Sequence, residues 1–329
     1  MLFDFAARRA HRLRGVNPAP TRRASENGWT GGQYSVLRAL FGLALAVRFA
    51  LHVGGAEPLE ASLHCAGIAF SLAFAVGWKE RASAFLLAPT LIAAGFLGGE
   101  RGPGQVHWLA LAVLLHLAIP PAPFLSVDAR GRVDPRGSWA LPNFVRALAL
   151  AACAGSLATW WLFRSEPLLA PLFYAALACD PGWLPGLRPS GTERNFPERV
   201  FYDGSCGLCH RCVRFVLSED RSTEPLAFAP LGGECFARVF PDAETLGLPD
   251  SVLVRTADGR TLVRSRAARH IGARLGGLWR ALAALGGLVP VPLLDIGYSA
   301  VARTRRRLFA APKDACPMLP PDLRGRFEA

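Results

Sequence analysis

Arg199-Val-Phe-Tyr-Asp-Gly-Ser-Cys-Gly-Leu-Cys-His-Arg-Cys-Val-Arg-Phe-Val-Leu217 is the stretch on which the reading of this chain turns. Val200, Phe201 and Tyr202 are β-formers that run into Asp203-Gly204, a turn pair, and beyond Cys206 the apolar positions Leu208, Cys212, Phe215 and Val216 recur at helical spacing. The pattern predicts a strand, a tight turn and a helix opened by Cys206-x-x-Cys209. Unpaired N–H groups at a helix start carry partial positive charge and favour a thiolate over a thiol. Cys206 is therefore expected to be the attacking thiolate and the more exposed sulfur, with Cys209, one turn inside, as the resolving thiol.

The neighbours have supporting roles in this reading. Gly204 and Ser205 complete the turn that presents the dithiol. Asp203 either relays protons to and from Cys209 or shapes the turn through its side chain. His210 and Arg211, just inside the helix, either add positive potential or face solvent. Downstream, 226–229 reads as a strand and 234–240 as a short helix. Segments 251–256 and 261–264 flank Ala257-Asp258-Gly259, a hairpin turn, and helical stretches follow at 265–275, 278–288 and 293–308. A β-α-β-α-β-β-α order predicts a thioredoxin-like α/β domain with extra C-terminal helices. Counting back from Gly259 places Ser251 where such folds carry a cis-proline facing the dithiol. Pro249 lies two residues earlier, so Ser251 is a candidate site residue.

The chain is 329 residues long, 51% apolar and only 19% charged, a balance that points to a membrane-embedded part. Apolar stretches at 34–53, 59–78, 82–98, 105–119, 144–163 and 167–179 read as about six spans. The net charge is +12 and the basic residues are almost all arginine, yet they lie between apolar segments and form no aromatic-studded patch, which argues against a nucleic-acid partner. Arginines crowd the N-terminal tail and alternate loops, so the positive-inside rule places both termini in the cytoplasm, at an inner membrane. The expected organisation is a basic cytoplasmic tail (1–32), an α-helical polytopic membrane bundle (33–187), a linker (188–198) and the thioredoxin-like domain (199–329). Arg38 is expected to snorkel to the inner face, and Arg48 to face the bundle interior.

Tyr202-Asp-Gly-Ser-Cys-Gly-Leu-Cys209 resembles the signature of the DCC family of thiol–disulfide oxidoreductases, named for Asp-x-x-Cys-x-x-Cys. Leu278-Trp-Arg-Ala-Leu, Val289-Pro-Val-Pro, Tyr298-Ser-Ala-Val-Ala-Arg303 and Arg306-Arg-Leu-Phe309 resemble the C-terminal half of that family. The resemblance implies disulfide exchange through Cys206 and Cys209. The helical half is similar to multi-span domains fused to such modules, and it also resembles the transmembrane domain of vitamin K-dependent carboxylases without matching a catalytic motif of theirs.

Other readings stay open. His52, His64 and His107 fall near the outer face of the bundle, where two imidazoles suit haem ligation and one suits a quinone carbonyl; interhelical hydrogen bonding or interfacial anchoring is the favoured account of them. Cys206-x-x-Cys209-x-x-Cys212, with Cys316, has the spacing of an iron–sulfur ligand set, against which Cys212 falls on the apolar face of its helix as core packing. The expectation is that no cofactor is required and no metal is bound. The expected function is a membrane-anchored oxidoreductase exchanging disulfides with protein or small-molecule thiols on the cytoplasmic side, where a reducing environment favours a reductase. The alternatives are a membrane receptor or scaffold whose domain binds without turnover, or an iron–sulfur or haem electron carrier.

Overall fold

A computed structural model describes residues 28–99, 104–130, 135–163, 168–186, 198–222, 224–241, 251–308 and 321–328. The expectations placed on the tail 1–27, on residues 188–197, on Pro249 and on Cys316 lie outside the described residues.

The N-terminal region is helical. Its elements are α1 (Gly31–Val53), α2 (Pro58–Val76), α3 (Glu80–Leu97), α4 (Gln105–Leu115), α5 (Asn143–Phe163) and α6 (Leu169–Ala178). Their starts follow local chemistry. Thr30 caps α1 by accepting the Gln33 N–H (3.3 Å). Pro58 opens α2, where its missing N–H costs nothing. The Asp128 carboxylate reaches back from a loop to take the Lys79 and Glu80 N–H groups (3.0 and 2.9 Å) at the head of α3. Each of the six apolar stretches forms a helix, but only α1, α2, α3 and α5, at 18–23 residues, are long and apolar enough to cross a bilayer. Helices α4 and α6 have 11 and 10 residues and are too short for that.

The core of this region contains a charge network. Arg38, 1% exposed, does not snorkel: its Nη1 pairs with Glu80, and its Nη2 donates to the Leu125 carbonyl (3.1 Å). Ser126 donates to the same Glu80 carboxylate (2.5 Å), His116 approaches it (3.7 Å), and Tyr34 hydrogen-bonds His116. A buried guanidinium is tolerable only with such a partner, which is why Arg38 turns inward. Arg48 is buried too.

The C-terminal region is a mixed sheet with helices. In chain order it holds β1 (Arg199–Tyr202), α7 (Gly207–Glu219), β2 (Ala227–Pro230), α8 (Glu234–Val239), β3 (Leu253–Arg255), β4 (Thr261–Val263), α9 (Arg264–Leu275), α10 (Gly277–Leu285), α11 (Val291–Leu308) and α12 (Pro321–Arg324). Strand order is β2-β1-β3-β4, with β1 parallel to β2 and antiparallel to β3. The period of two in β1 serves two cores: Val200 packs with Val213, Leu217, Phe228 and Ala267, whereas Phe201 packs with Ala229, Cys235 and Phe240 on the opposite face. On β2, Phe228 exchanges backbone hydrogen bonds with Arg326 and Glu328, so a late segment covers that strand.

One carboxylate joins the two regions. Glu219, the last residue of α7, is 2% exposed and accepts from the Thr30 hydroxyl, the Gly32 N–H (3.0 Å) and the Trp279 indole (2.7 Å). Phe215 packs edge-on against both Phe124 and Trp279. At Gly137 (φ 62°) the chain passes so near that a Cβ would lie 2.2 Å from the Ser218 carbonyl oxygen. Replacing Glu219 by alanine strands three buried donors, and a loss of about 3 kcal/mol is expected. Thermal unfolding of the full chain in detergent should show a lower midpoint, with Trp279 emission shifted to the red; an unchanged midpoint would remove the junction from the stability account.

Candidate active site

Cys206 is the N-cap of α7, its backbone extended (φ −96°, ψ 116°), and its sulfur folds over the first turn to accept the Cys209 N–H (3.4 Å). The turn ahead of it is held at several points. Asp203 Oδ1 accepts the Ser205 N–H (2.9 Å) and hydroxyl (2.6 Å), an Asx turn, while the Asp203 carbonyl takes the Cys206 N–H (3.2 Å). His210 does not face solvent: it is buried, its Nε2–H donates to the Gly204 carbonyl (2.7 Å), and its ring stands edge-on to Tyr202.

The expected order of exposure is reversed. Cys206 is 3% exposed and Cys209 is only half-buried. The cap geometry explains this, because it turns the Cys206 sulfur back onto the helix end. Cys209, one turn on, faces a cavity of about 290 Å³ lined by α7, β1, β2, α9 and α11, whose wall includes Tyr202, Cys212, Tyr298 and Arg305. Cys212 is exposed and borders this cavity, so it does not serve as core packing. Burial, the hydrogen bond to Cys206 and the charge of Cys206 push the Cys209 thiol up to about 12, against a downward pull from Arg305.

Two residues of α11 complete the site. Arg305, 5% exposed, pairs through Nη2 with Asp203 Oδ2 (3.3 Å). Tyr298 accepts the Val252 N–H through its hydroxyl (3.0 Å). Ser251, just before β3, is buried with its hydroxyl towards the Val252 carbonyl (3.4 Å), and Val252 forms the cavity wall there. Neither Arg305 nor Tyr298 was legible as a site residue. Arg305 lies 102 positions from Asp203 inside a run that reads as a basic surface, and Tyr298 stood out only within a family resemblance.

The three histidines do not converge. His52 and His64 stack with ring centroids 5.8 Å apart, His52 Nδ1–H donates to the Arg48 carbonyl (2.8 Å), and His64 Nε2 approaches Glu60 (3.4 Å). His107 is exposed at the start of α4. Among the described residues no group of three or more His, Cys, Asp or Glu side chains is gathered to hold a metal ion.

A family model described as DCC1-like thiol-disulfide oxidoreductase matches residues 200–311. The match begins in β1, so it does not reach the N-terminal helices, and the likeness to carboxylase transmembrane domains expected there is not shown. The chain is also similar to a protein of Bacillus subtilis (strain 168) named Uncharacterized protein YuxK, at 33% identity over 141 residues, which is 41% of this chain and 98% of that protein. No solved structure matches the chain.

Folding holds the Cys209 proton more tightly than the unfolded chain does, where a cysteine titrates near ~8.5. The resulting stabilisation is complete below that value and is lost as pH rises towards about 12. Alkylation of Cys209 by iodoacetamide, followed by peptide mass spectrometry, should therefore stay slow through the ordinary cysteine range. Cys206→Ala removes two of the three causes that raise the thiol and should move the alkylation curve to lower pH; a curve that stays put or moves up would contradict this account of the pair.

Proposed function

We propose, for a chain that belongs to the DCC1-like thiol-disulfide oxidoreductase family, that it is a membrane-anchored oxidoreductase exchanging disulfides through Cys206 and Cys209 on the cytoplasmic side. The observation that carries this reading is the sulfur of Cys206 at the head of a 13-residue helix, receiving the Cys209 N–H, with both thiols free. Strand order and the βαβ–ββα sequence of the domain support a thioredoxin-like fold. The four long apolar helices, whose outer faces expose Leu40, Val47, Leu51, Phe96 and Leu162, support the anchor. Arginine-rich alternate loops support the cytoplasmic placement.

In this reading Cys206 attacks as thiolate, favoured by the N–H groups that point at it. A bond forms between its sulfur and one sulfur of the substrate disulfide while the substrate S–S bond breaks, and the departing thiolate takes a proton from solvent. Cys206 is then uncharged and no longer holds the Cys209 proton by charge or hydrogen bond. The Cys209 thiol falls from its raised value, Arg305 favours its anion, and its thiolate attacks the Cys206 sulfur. The products are a Cys206–Cys209 disulfide and a second substrate thiol, so two electrons have passed to the substrate. Asp203 fixes the turn and holds Arg305; Ser205, Gly204 and His210 position the dithiol. Because Cys206 is folded onto the end of its own helix, substrate entry requires the turn 203–206 to move, and the Arg305–Asp203 pair ties that turn to α11.

A second reading, a membrane receptor whose domain binds a partner without turnover, is favoured by that same burial of Cys206. Turnover separates the two. Reduced full-length protein in detergent should reduce a model disulfide such as insulin or oxidised glutathione. Cys209→Ser should accumulate a mixed disulfide on Cys206, identifiable by mass spectrometry, and Cys206→Ala should be inactive. Arg305→Gln should speed alkylation of Cys206 by loosening the turn that Asp203 holds. Absence of both turnover and trapped adduct, with Cys206 unreactive in Arg305→Gln, would leave the binding reading in place of exchange.

A further inference from the structure

Residues 281–294, Ala-Leu-Ala-Ala-Leu-Gly-Gly-Leu-Val-Pro-Val-Pro-Leu-Leu, carry no charged or polar side chain. They form the end of α10, a 3₁₀ turn and the start of α11, a pair of helices bent by 118°. An apolar segment of this kind belongs in a core, yet here it is turned outward. Leu285 is 60% exposed, Leu288 81%, Leu293 59% and Ile296 63%, with Leu282 and Val289 exposed beside them. The inward face of α11 is spoken for by Tyr298 and Arg305, so these residues are the opposite, unpartnered face.

The base of this hairpin sits against the first turn of α1. The Gly277 backbone lies against the Gln33 side chain, its N–H donates to the Leu184 carbonyl (2.6 Å), and Trp279 shares Glu219 with Thr30. Helix α1 has 23 residues, roughly 34 Å of helix against a hydrocarbon core of about 30 Å. Its first turn, which the hairpin base touches, therefore lies at the bilayer boundary. Further along α11, the outer apolar face gives way to exposed Arg303, a cation placed where anionic headgroups would meet it.

We propose that the α10–α11 hairpin is a second, interfacial membrane contact: Leu282, Leu285, Leu288, Leu293 and Ile296 lie among the upper acyl chains of the cytoplasmic leaflet, alongside the spanning helices. The proposal rests on the membrane reading above and goes beyond it, since it places the helix that walls the Cys209 cavity in the lipid surface. It commits to lipid, and not to a second copy of this chain, because the uncharged tip, the boundary-level base and the flanking arginine form the sequence of environments found across a headgroup layer.

The test uses the full chain in vesicles of phosphatidylcholine with a minority of anionic phosphatidylglycerol. A genetically encoded fluorescent amino acid replaces Leu288, Val47 or Arg266 in separate variants. Val47 is on the exposed face of α1 and reports the anchor; Arg266 is exposed on α9 and reports water. At 288, lipids brominated on the acyl chains should cut emission by about threefold, as for a group buried ~5–10 Å below the surface, while aqueous iodide has little effect. Quenching at 288 by iodide, with lipid quenching retained at 47, overturns the hairpin contact and spares the anchor. Iodide quenching at both sites defeats the anchor as well. Protection at 288 from both quenchers means that protein covers the face, a second copy included, and that also overturns the proposal.

Discussion

The carboxylate of Glu219 is where the two regions of this protein become one structure. At the end of α7 it occupies the negative pole of its own helix, an unfavourable place for an anion. It is stabilised by the positive pole of another helix, the first turn of α1, through the Gly32 N–H and the Thr30 hydroxyl, with the Trp279 indole as third donor. Burial raises its carboxyl above the usual range, and those three donors offset part of the rise. Neither helix end is satisfied alone, so the contact specifies one orientation of α7 against α1. With 13 residues at 1.5 Å each, the dithiol at the far end of α7 is then about 20 Å from the junction.

At that far end two sulfurs three residues apart have different surroundings. Cys206 meets peptide N–H groups and a tightly pinned turn; Cys209 meets an apolar cavity. The asymmetry raises the Cys209 thiol, with burial and the neighbouring Cys206 as its causes. Tyr298 and Arg305 add a third element, since the wall of the Cys209 cavity is completed by a helix far later in the chain.

Much of the fold was readable because it obeys local rules. The β-formers Val200, Phe201 and Tyr202 foretold β1, Ala257-Asp258-Gly259 foretold the hairpin where Gly259 takes φ 80°, and the spacing after Cys206 foretold α7. All six apolar stretches became helices, although a run of apolar residues could not tell a spanning helix from the short α4 and α6. What stayed hidden was long-range pairing of polar groups. Arg38 looked like a snorkelling residue until Glu80, 42 positions on, appeared beside it. Glu219 sits in Ser-Glu-Asp, which reads as a polar helix end, and its partners are 187 and 189 positions upstream. The burial of Cys206 escaped notice for a different reason: helix position foretells the field at a sulfur but not the rotamer that hides it.

The bridge from Phe228 to the segment 326–328 has a bearing on biogenesis. Strand β2 is made about a hundred residues before the backbone groups that cover it, and Arg326 also ties Asp220 at the end of α7. On the ribosome, the nascent domain therefore holds an open sheet margin while α9 to α11 emerge. A chain stopped short of Arg326 would keep that margin uncovered, ready to pair with a neighbouring nascent copy.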